Sequence, residues 1–381
     1  MGQDKETNSP SSISISMADR GGRRFRQGRV HSLPRETRHT DELVVKVSII
    51  VNNYNYARFL TAAVDSALSQ TYEDCEVIVV DDGSTDNSRE VIESYGDRIR
   101  AIYKANGGQA SALNAGFAAS SGEIVMFLDA DDTLIPEAAA TLVSAWRDGV
   151  VRIQFPLEVI DGLGNRSGER VGGSVVPDHT FGPFGVDSPT SGNAFIRTVL
   201  QKIMPVPEED WPICADAYLT LASSLFGEVK SLGRALGHYR VHGKNNWAAA
   251  FMSVPGLRRA ISFDLKLHSS LHRLAPDRIG PCETWLSRFP PHWVGRIRSL
   301  RESPHDHPWP DDLLTLTRKA LSATWRHPYW NVRRKLAYSL WLLASATTPK
   351  VAHVLKGLEQ RCSGLLRGIL FGPKPRLLKR S

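Results

Sequence analysis

The sequence predicts an α/β fold with a mostly parallel central sheet flanked by helices, followed by a mainly helical C-terminal extension. Two observations predict it. Short β-branched runs alternate with helical periodicities from residue 44 to residue 129, a pattern typical of parallel strands whose connecting helices cover both faces of a sheet. From about residue 250 onward, the apolar spacing is helical throughout.

The first predicted unit is a strand, a loop and a helix. Residues 44–51 form a β-branched run that is typical of a central strand. After a loop rich in Asn and Tyr, apolar residues recur at helical spacing. A second β-branched run at 76–80 ends on two acids, and Ser84 or Thr85 is expected to cap the next helix.

The alternation continues with a strand at 98–103, a small-residue helix at 109–119 and a buried strand at 124–129. Beyond Trp146 it lapses. The elements predicted there are a strand, an irregular glycine-rich segment, a helix and a hairpin-like pair of strands, at residues 150–160, 162–185, 211–225 and 228–241.

Two of the predicted strands end in clustered acids. Asp81 and Asp82 follow the second strand, and Asp129, Asp131 and Asp132 follow the strand at 124–129. In an open α/β sheet, ligands bind at the carboxyl ends of the strands. Clustered carboxylates there favour a divalent cation that holds a diphosphate. The alternative is that the acids after Asp129 simply begin the next helix, since helix N-termini favour acids.

Composition narrows the class of protein. The 381 residues are long enough for two domains, and the net charge of +7 is concentrated at the two ends. The Arg- and Ser-rich residues 1–43 are expected to be a disordered leader. Four scattered cysteines indicate neither a zinc site nor a disulfide framework, which favours a cytoplasmic protein. The longest C-terminal apolar run, 338–346, is shorter than the roughly 20 residues that span a bilayer.

Seven short motifs, in this order, resemble those of the family 2 glycosyltransferases. These are inverting enzymes of GT-A type, a Rossmann-like fold, that use nucleotide-activated sugars. The motifs are Val47-Ser-Ile-Ile-Val-Asn-Asn-Tyr-Asn-Tyr, Val79-Val-Asp-Asp-Gly-Ser-Thr-Asp, Asn106-Gly-Gly-Gln, Ala112-Leu-Asn-Ala-Gly-Phe, Gly122-Glu-Ile, Leu128-Asp-Ala-Asp-Asp and Tyr239-Arg-Val-His-Gly. The resemblance implies a catalytic domain over residues 44–247, followed by a helical extension at 248–381 with a basic tail.

The resemblance also implies a set of residues that bind the donor nucleotide. Asp81 and Asp82 stand where the family recognises the base, and a carboxylate accepts a hydrogen bond from a uracil or guanine imide. Many relatives have Arg or Lys where this chain has Leu113, which leaves the base open. The implied donor-nucleotide residues are Asn53, Tyr54, Asp81, Asp82, Asn106, Gln109, Asn114 and Asp129.

Metal and catalytic roles follow from the same resemblance. Asp131 is expected to bind Mg²⁺ or Mn²⁺, because such cations neutralise the charge of a departing nucleoside diphosphate. His242 is either a further ligand or a structural histidine, and Asp132 is expected to cap the following helix. Asp216 stands at the position of the family's base, with Ala215 where many relatives have Glu. Partial burial is expected to raise the pKa of Asp216.

The acceptor side is predicted less fully. Thr190, Ser191, Gly192 and Asn193 resemble an acceptor-binding loop, and Trp211 and Trp247 either stack on a sugar or belong to the core. The expected partners are a UDP- or GDP-linked sugar and a glycan or lipid-linked acceptor, in cell-envelope or surface glycan synthesis. Nucleic acid is not expected, whereas the basic tail suggests peripheral contact with the inner face of the membrane.

Other functional interpretations of the sequence are considered as alternatives. A nucleotidyltransferase also combines a nucleotide fold with metal-binding acids, but no glycine-rich phosphate loop followed by Lys is present. Processive polysaccharide synthases are disfavoured because their Gln-x-x-Arg-Trp motif is missing from this sequence. A non-catalytic scaffold that binds nucleotide sugars would have no need for all of the acids 81, 82, 129, 131 and 216.

Overall fold

The computed structural model describes residues 45–173, 188–242, 253–328 and 330–347. Four predicted regions lie outside the described residues: the leader at 1–43, the part of the glycine-rich segment from 174 to 185, Trp247 and the basic tail at 374–381. The predicted domain boundaries at 43/44 and 247/248 therefore stay predictions.

The described strands form two sheets. In chain order, strands β1 to β11 are Val47–Asn53, Cys75–Asp81, Arg100–Tyr103, Ile124–Asp129, Thr133–Leu134, Val150–Gln154, Leu157–Asp161, Arg166–Val171, Asn193–Ile196, Glu228–Ser231 and Gly237–Val241. The seven-stranded sheet has the order β10-β6-β9-β4-β1-β2-β3, and β9 is antiparallel to both of its neighbours. The other pairs in it are parallel. A smaller sheet has the order β5-β11-β7-β8.

The described helices flank the large sheet and then continue as the extension. In chain order, helices α1 to α11 are Ala57–Leu68, Ser88–Glu93, Gln109–Ala119, Ala138–Ala145, Arg197–Ile203, Ala215–Ser224, Val254–Leu274, Cys282–Leu286, Pro290–Glu302, Leu313–Arg326 and Val332–Thr347. The predicted fold class, a mostly parallel sheet flanked by helices with a helical C-terminal region, is confirmed. Within the described part of the chain, no helix is both long and apolar enough to cross a membrane.

Alternating side chains of the central strands fill two separate cores. On β1, Ile50 faces a core shared with α3 and α6, whereas Ile49 and Val51 face a core shared with α1. All three side chains are fully buried. Parallel strands that are covered by helices expose neither face to solvent. Burial on both faces therefore explains why the sequences of these strands are continuous apolar runs. Each such side chain contributes about 1.5–3 kcal/mol of burial free energy.

The C-terminal helices share one of these cores with the large sheet. Trp211 is 1% exposed and meets the ring of Phe263 on α7 edge-on, with centroids 5.3 Å apart. Its indole N–H donates to Ser270 Oγ at 3.3 Å. Of the two roles expected for Trp211, the structure selects the core, and the side chain joins α7 to the segment before α6.

Several local predictions are wrong. Helix α2 begins at Ser88, beyond the predicted caps Ser84 and Thr85, and Asp86 Oδ1 accepts from the Ser88 N–H at 3.0 Å. Asp132 does not cap α4, because that helix begins only at Ala138.

The predicted hairpin at 228–241 is also wrong, since its two strands lie in different sheets. β10 pairs with β6 and β11 pairs with β5 and β7. Residues 150–160 form two strands, β6 and β7, where one was predicted. Part of the glycine-rich segment forms β8, so its irregularity was overestimated.

Candidate active site

The register of the large sheet brings the predicted polar residues to one edge. Asn53 pairs with Asp81 across β1 and β2, and Asn52 pairs with Asp129 across β1 and β4. These residues close three adjacent parallel strands, so their side chains line a common edge. This is the edge at which open α/β sheets bind ligands.

Asp81 and Asn53 form a buried polar pair at this edge. Asp81 Oδ1 accepts from Asn53 Nδ2 at 2.9 Å and from Ser84 Oγ at 2.5 Å. The two residues are 5% and 2% exposed. Asn53 Oδ1 is buried and has no hydrogen-bond partner in the described residues. An unsatisfied buried acceptor carries a free-energy cost, which a ligand N–H group would remove.

Asp82 organises the loop before α3. Its carboxylate accepts from the N–H groups of Gly107 and Gly108, at 3.0 and 2.7 Å, and pairs with Lys104 Nζ at 2.7 Å. Asn106 Nδ2 donates to the Asp82 carbonyl at 2.9 Å. Gly108 has a φ of +84°, and a Cβ there would lie 2.6 Å from the Pro212 carbonyl oxygen. Glycine is therefore required at this close approach.

Asp129 is supported from behind by a chain of hydrogen bonds. Its backbone N–H donates to Ser191 Oγ at 3.1 Å, and that hydroxyl donates to Asp132 Oδ2 at 2.7 Å. Asp132 Oδ1 accepts from the Arg240 N–H at 2.9 Å. Asp132 is 1% exposed, and burial together with Asp131 and Asp129 raises its pKa well above the usual value. Asp132 thus ties the end of β4 to β11 instead of capping a helix.

Asp131 and His242 lie in contact at the same edge. His242 Nε2 is 3.0 Å from Asp131 Oδ2, and the Asp131 side chain is 15% exposed. The imidazole contacts the rings of Tyr56 and Phe59, at centroid distances of 5.5 and 5.0 Å. Arg240 Nε donates to the Asp131 carbonyl at 2.8 Å, and this hydrogen bond joins the backbone of Asp131 to β11.

These residues fit a cation that takes few protein ligands. No cluster of three or more His, Cys, Asp or Glu side chains able to hold a metal occurs among the described residues. Mg²⁺ and Mn²⁺ commonly use one or two carboxylates together with phosphate oxygens and water. Burial and the charges of Asp131 and Asp216 raise the pKa of Asp129 to about 7. A divalent cation at this edge would favour the ionised form of Asp129 and oppose this rise in its pKa.

Asp216 lies beside this cluster, in the first turn of α6. Loss of hydration raises its pKa, as predicted, while hydrogen bonds from the hydroxyl and the N–H of Thr190 lower it. The Thr190 hydroxyl also lies within hydrogen-bonding reach of Asp129. Gln109 Nε2 donates to Thr190 Oγ1 at 3.3 Å, and Gln109 Oε1 accepts from the Ala215 N–H at 2.9 Å. Thr190 and Gln109 therefore hold the predicted base next to the donor-side acid.

Several other predicted residues have internal partners. Asn114 exchanges two hydrogen bonds with the backbone of Val206, at 2.9 and 2.8 Å, and so joins α3 to the loop after α5. Asn193 Oδ1 accepts from the fully buried Arg152 at 2.6 Å. Ser191, Gly192 and Asn193 are all buried. Their acceptor-binding role stays a prediction, but Ser191 already uses its hydroxyl to support Asp129. Tyr54, by contrast, is 47% exposed at the site.

Sequence reasoning missed Asn52, Lys104 and Arg240, and it assigned Thr190 to the acceptor-binding loop. Each acts through a partner on another element, and a single sequence does not show such pairings. Asn52 was within reach, because it precedes Asn53 at the end of the same strand. It donates to Asp129 Oδ1 at 2.9 Å, and its own Oδ1 is buried without a partner in the described residues.

Comparison with known proteins shows the family of this chain. Residues 48–175 match the family model described as glycosyl transferase family 2. An uncharacterized glycosyltransferase of Nostoc sp. is 40% identical over 221 residues, covering 54% of this chain and 68% of that protein. The hyaluronan synthase of Pasteurella multocida is 46% identical over 109 residues, covering 28% of this chain and 11% of the synthase.

A solved structure shows the same fold. Residues 1–349 of TarS from S. aureus, crystallised with UDP-GlcNAc, superpose with a TM-score of 0.50 at 16% identity. The match covers 83% of this chain and 92% of that one. The predicted GT-A type fold is confirmed. The family match confirms the prediction of a glycosyltransferase, and its metal dependence stays a prediction. The family model matches part of this chain, and the chain covers more than two thirds of a relative that is 40% identical to it. This chain therefore belongs to glycosyl transferase family 2.

Proposed function

We propose that this protein is an inverting, metal-dependent glycosyltransferase that moves a sugar from a nucleoside diphosphate to an acceptor hydroxyl. The observation that carries the proposal is the position of Asp216. Its partly buried carboxylate lies in the first turn of α6, whose first N–H group is bound by the same Gln109 amide that donates to Thr190. Burial raises its pKa, and its charge acts on Asp129 at the carboxyl edge of the sheet. A base and a donor-binding acid are thus next to each other, as direct displacement requires.

The donor nucleotide would bind over the ends of β1 and β2. Asp81 offers a carboxylate to the imide N–H of a uracil or guanine, and the unpartnered Asn53 Oδ1 offers a second acceptor. The exposed Tyr54 ring lies on the same loop and would stack on the base. The TarS structure contains UDP-GlcNAc, and UDP- and GDP-linked sugars are both compatible with these groups.

A divalent cation would be held by Asp131, with His242 as its second protein group. When bound, Mg²⁺ or Mn²⁺ supplies positive charge that stabilises the leaving diphosphate. Asp129 would accept from the ribose hydroxyls, and Asn52 and Ser191 hold its carboxylate and backbone in place. These residues orient the donor so that its anomeric carbon faces Asp216.

Transfer would take place in one displacement. Asp216 accepts the proton of the acceptor hydroxyl while that oxygen bonds to the anomeric carbon of the sugar. The bond from this carbon to the phosphate oxygen breaks, and its electron pair leaves with the nucleoside diphosphate. Attack from the face opposite the leaving group inverts the anomeric configuration. The raised pKa of Asp216 makes it a stronger base than a fully hydrated carboxylate.

The acceptor is proposed to be a glycan or lipid-linked sugar of a cell-surface polymer. Support comes from the hyaluronan synthase, which shares the matched segment. We also propose peripheral contact with the inner face of the membrane. The basic residues 374–381 would take part, and deleting them would test that part of the proposal by vesicle sedimentation.

The proposal is tested by release of UDP or GDP from a panel of nucleotide sugars, with Mn²⁺ and then with EDTA. We expect Mn²⁺-dependent release from one donor, abolished by EDTA and restored by added metal. A protein that is folded by thermal unfolding, binds a donor and releases no diphosphate would be the non-catalytic scaffold instead. Release in EDTA at the full rate would remove the metal from the proposal.

A further inference from the structure

The last described helix, α11, presents a row of apolar side chains to solvent. Val332, Leu336, Leu340 and Leu343 are 61%, 50%, 70% and 43% exposed. Their spacing places them on one face of a helix. The opposite face is buried through Tyr338, Leu342 and Ala346, at 6%, 0% and 6% exposure. The exposed row is therefore not needed for packing the helix onto the protein.

Trp325, at the end of α10, is a further exposed apolar side chain close to the start of α11. It is 48% exposed, and its carbonyl accepts from Lys335 Nζ, in the first turns of α11, at 2.7 Å. We call Trp325, Val332, Leu336, Leu340 and Leu343 together the α11 face. Exposed aliphatic residues next to a Trp are typical of a surface that enters the boundary between water and lipid.

Positive charge accompanies the α11 face. The sequence of α11 contains Arg333, Arg334 and Lys335 and no Asp or Glu. Arg326 and Arg333 are exposed at the same end. The sequence beyond α11 is equally one-sided: against the single acid Glu359 it carries Lys350, Lys356, Arg361, Arg367, Lys374, Arg376, Lys379 and Arg380. The complement of an apolar row flanked by cations is an anionic, amphipathic surface.

A second copy of the chain fits this surface poorly. Stable protein interfaces use roughly 20 to 30 residues a side, whereas the α11 face has five. Two copies of a cationic face would also repel each other. A bilayer has neither problem, because apolar side chains on one helix face can enter the headgroup region while Lys and Arg contact lipid phosphates.

We propose that the α11 face docks this protein on an anionic lipid surface. The helix would lie in the plane of the headgroups, with its apolar row toward the acyl chains. The inference refines the membrane contact proposed above by naming a folded surface for it. It does not depend on the transfer chemistry, because none of its residues belongs to the active site.

The test uses the full chain and vesicles of phosphatidylcholine alone or of an equal mixture with phosphatidylglycerol. We expect sedimentation with the anionic vesicles only, weakened by high salt. Leu336→Glu combined with Leu340→Glu should reduce the sedimented fraction at least tenfold. Leu163→Glu, at an 84% exposed leucine in the loop after β7, is the matched control and should sediment like the unaltered protein. Donor hydrolysis and thermal unfolding should be the same for all three proteins.

Four results would overturn the proposal. The unaltered chain could fail to sediment with anionic vesicles, or the double variant could sediment as well as the unaltered chain. Deletion of residues 374–381 could abolish sedimentation while the double variant retains it, which would place the contact in the tail alone. Light scattering after gel filtration gives the fourth: a dimer that the double variant dissociates, with sedimentation unchanged, would make a second copy the occupant. Donor hydrolysis separates each of these from a failure of the enzymatic proposal.

Discussion

Thr190, which is 4% exposed, lies beside Asp216, and its hydroxyl and backbone N–H oppose the rise in the pKa of that carboxylate. The hydroxyl likewise opposes the rise in the pKa of Asp129, so one buried residue acts on both the predicted base and the predicted donor site. Gln109 holds Thr190 from one side and the N-terminus of α6 from the other. The position of the base is thereby coupled to the loop that Asp82 organises, because Gln109 directly follows Gly108.

Asp216→Asn should abolish transfer while leaving donor binding nearly intact. An amide cannot accept the acceptor's proton, and a general base contributes about 10²- to 10⁴-fold to a rate. The measurement is kcat for diphosphate release beside the Kd of the donor from calorimetry. Asp210→Asn is the matched control, since Asp210 is a nearby acid that pairs with Arg273 outside the site. If Asp216→Asn kept its rate, another residue would be the base.

Thr190→Val should lower kcat by about tenfold to about 100-fold, because hydrogen bonds to charged groups contribute about 1.5–3 kcal/mol. It should also move the acidic limb of the pH–rate profile to higher pH. The sign follows from the contact: the Thr190 hydroxyl lowers the pKa of Asp216, so its loss raises that pKa and the base is protonated up to a higher pH. Thr190→Ser, which keeps the hydroxyl, should restore both values. A uniform loss for both variants, with no shift of the limb, would mean that Thr190 only packs.

The sequence predicted the parallel core well because its signals are local. The strands at 76–80 and 124–129 and the helix at 109–119 are β-branched or small-residue runs, whose periodicity needs no distant partner. The pairing of β10 and β11, by contrast, could not be predicted from local sequence. Both strands are short, and the sheet that each joins is decided by β6, β5 and β7.

In the site, too, some residues could be predicted from the sequence and others could not. The acids at the strand ends could be placed from the sequence, since parallel strands bring their carboxyl ends to one edge. The function of Asp132 could not, because a helix cap and a buried acceptor of Ser191 and Arg240 look alike in a single sequence. The contacts of Thr190 likewise form only when residues 190–192 adopt a 3₁₀ turn that binds the end of β4 through Ser191.

Gln109→Ala should reduce kcat about tenfold and leave the Kd of the donor nearly unchanged. Both polar groups of the Gln109 amide already bind Thr190 and Ala215, so its loss releases the base without removing a nucleotide contact. Gln70→Ala is a fitting control, because that amide bridges Ile135 and Ala139 in a comparable way, remote from the site. It should lower the unfolding temperature and leave kcat alone. A large rise in donor Kd for Gln109→Ala would instead support the nucleotide contact predicted from the sequence.

Asp131→Asn should abolish the stabilisation of the protein by Mn²⁺ together with UDP or GDP, measured as a rise in unfolding temperature. His242→Ala should raise the Mn²⁺ concentration needed for that stabilisation, since the imidazole 3.0 Å from Asp131 Oδ2 is placed to share the cation. His238→Ala tests the strand itself, because His238 also lies on β11 but contacts Thr133. It should need no more Mn²⁺ than the unaltered protein. Because binding is measured without turnover, unchanged Mn²⁺ stabilisation in both Asp131→Asn and His242→Ala would place the cation elsewhere, even if Asp216 proved to be the base.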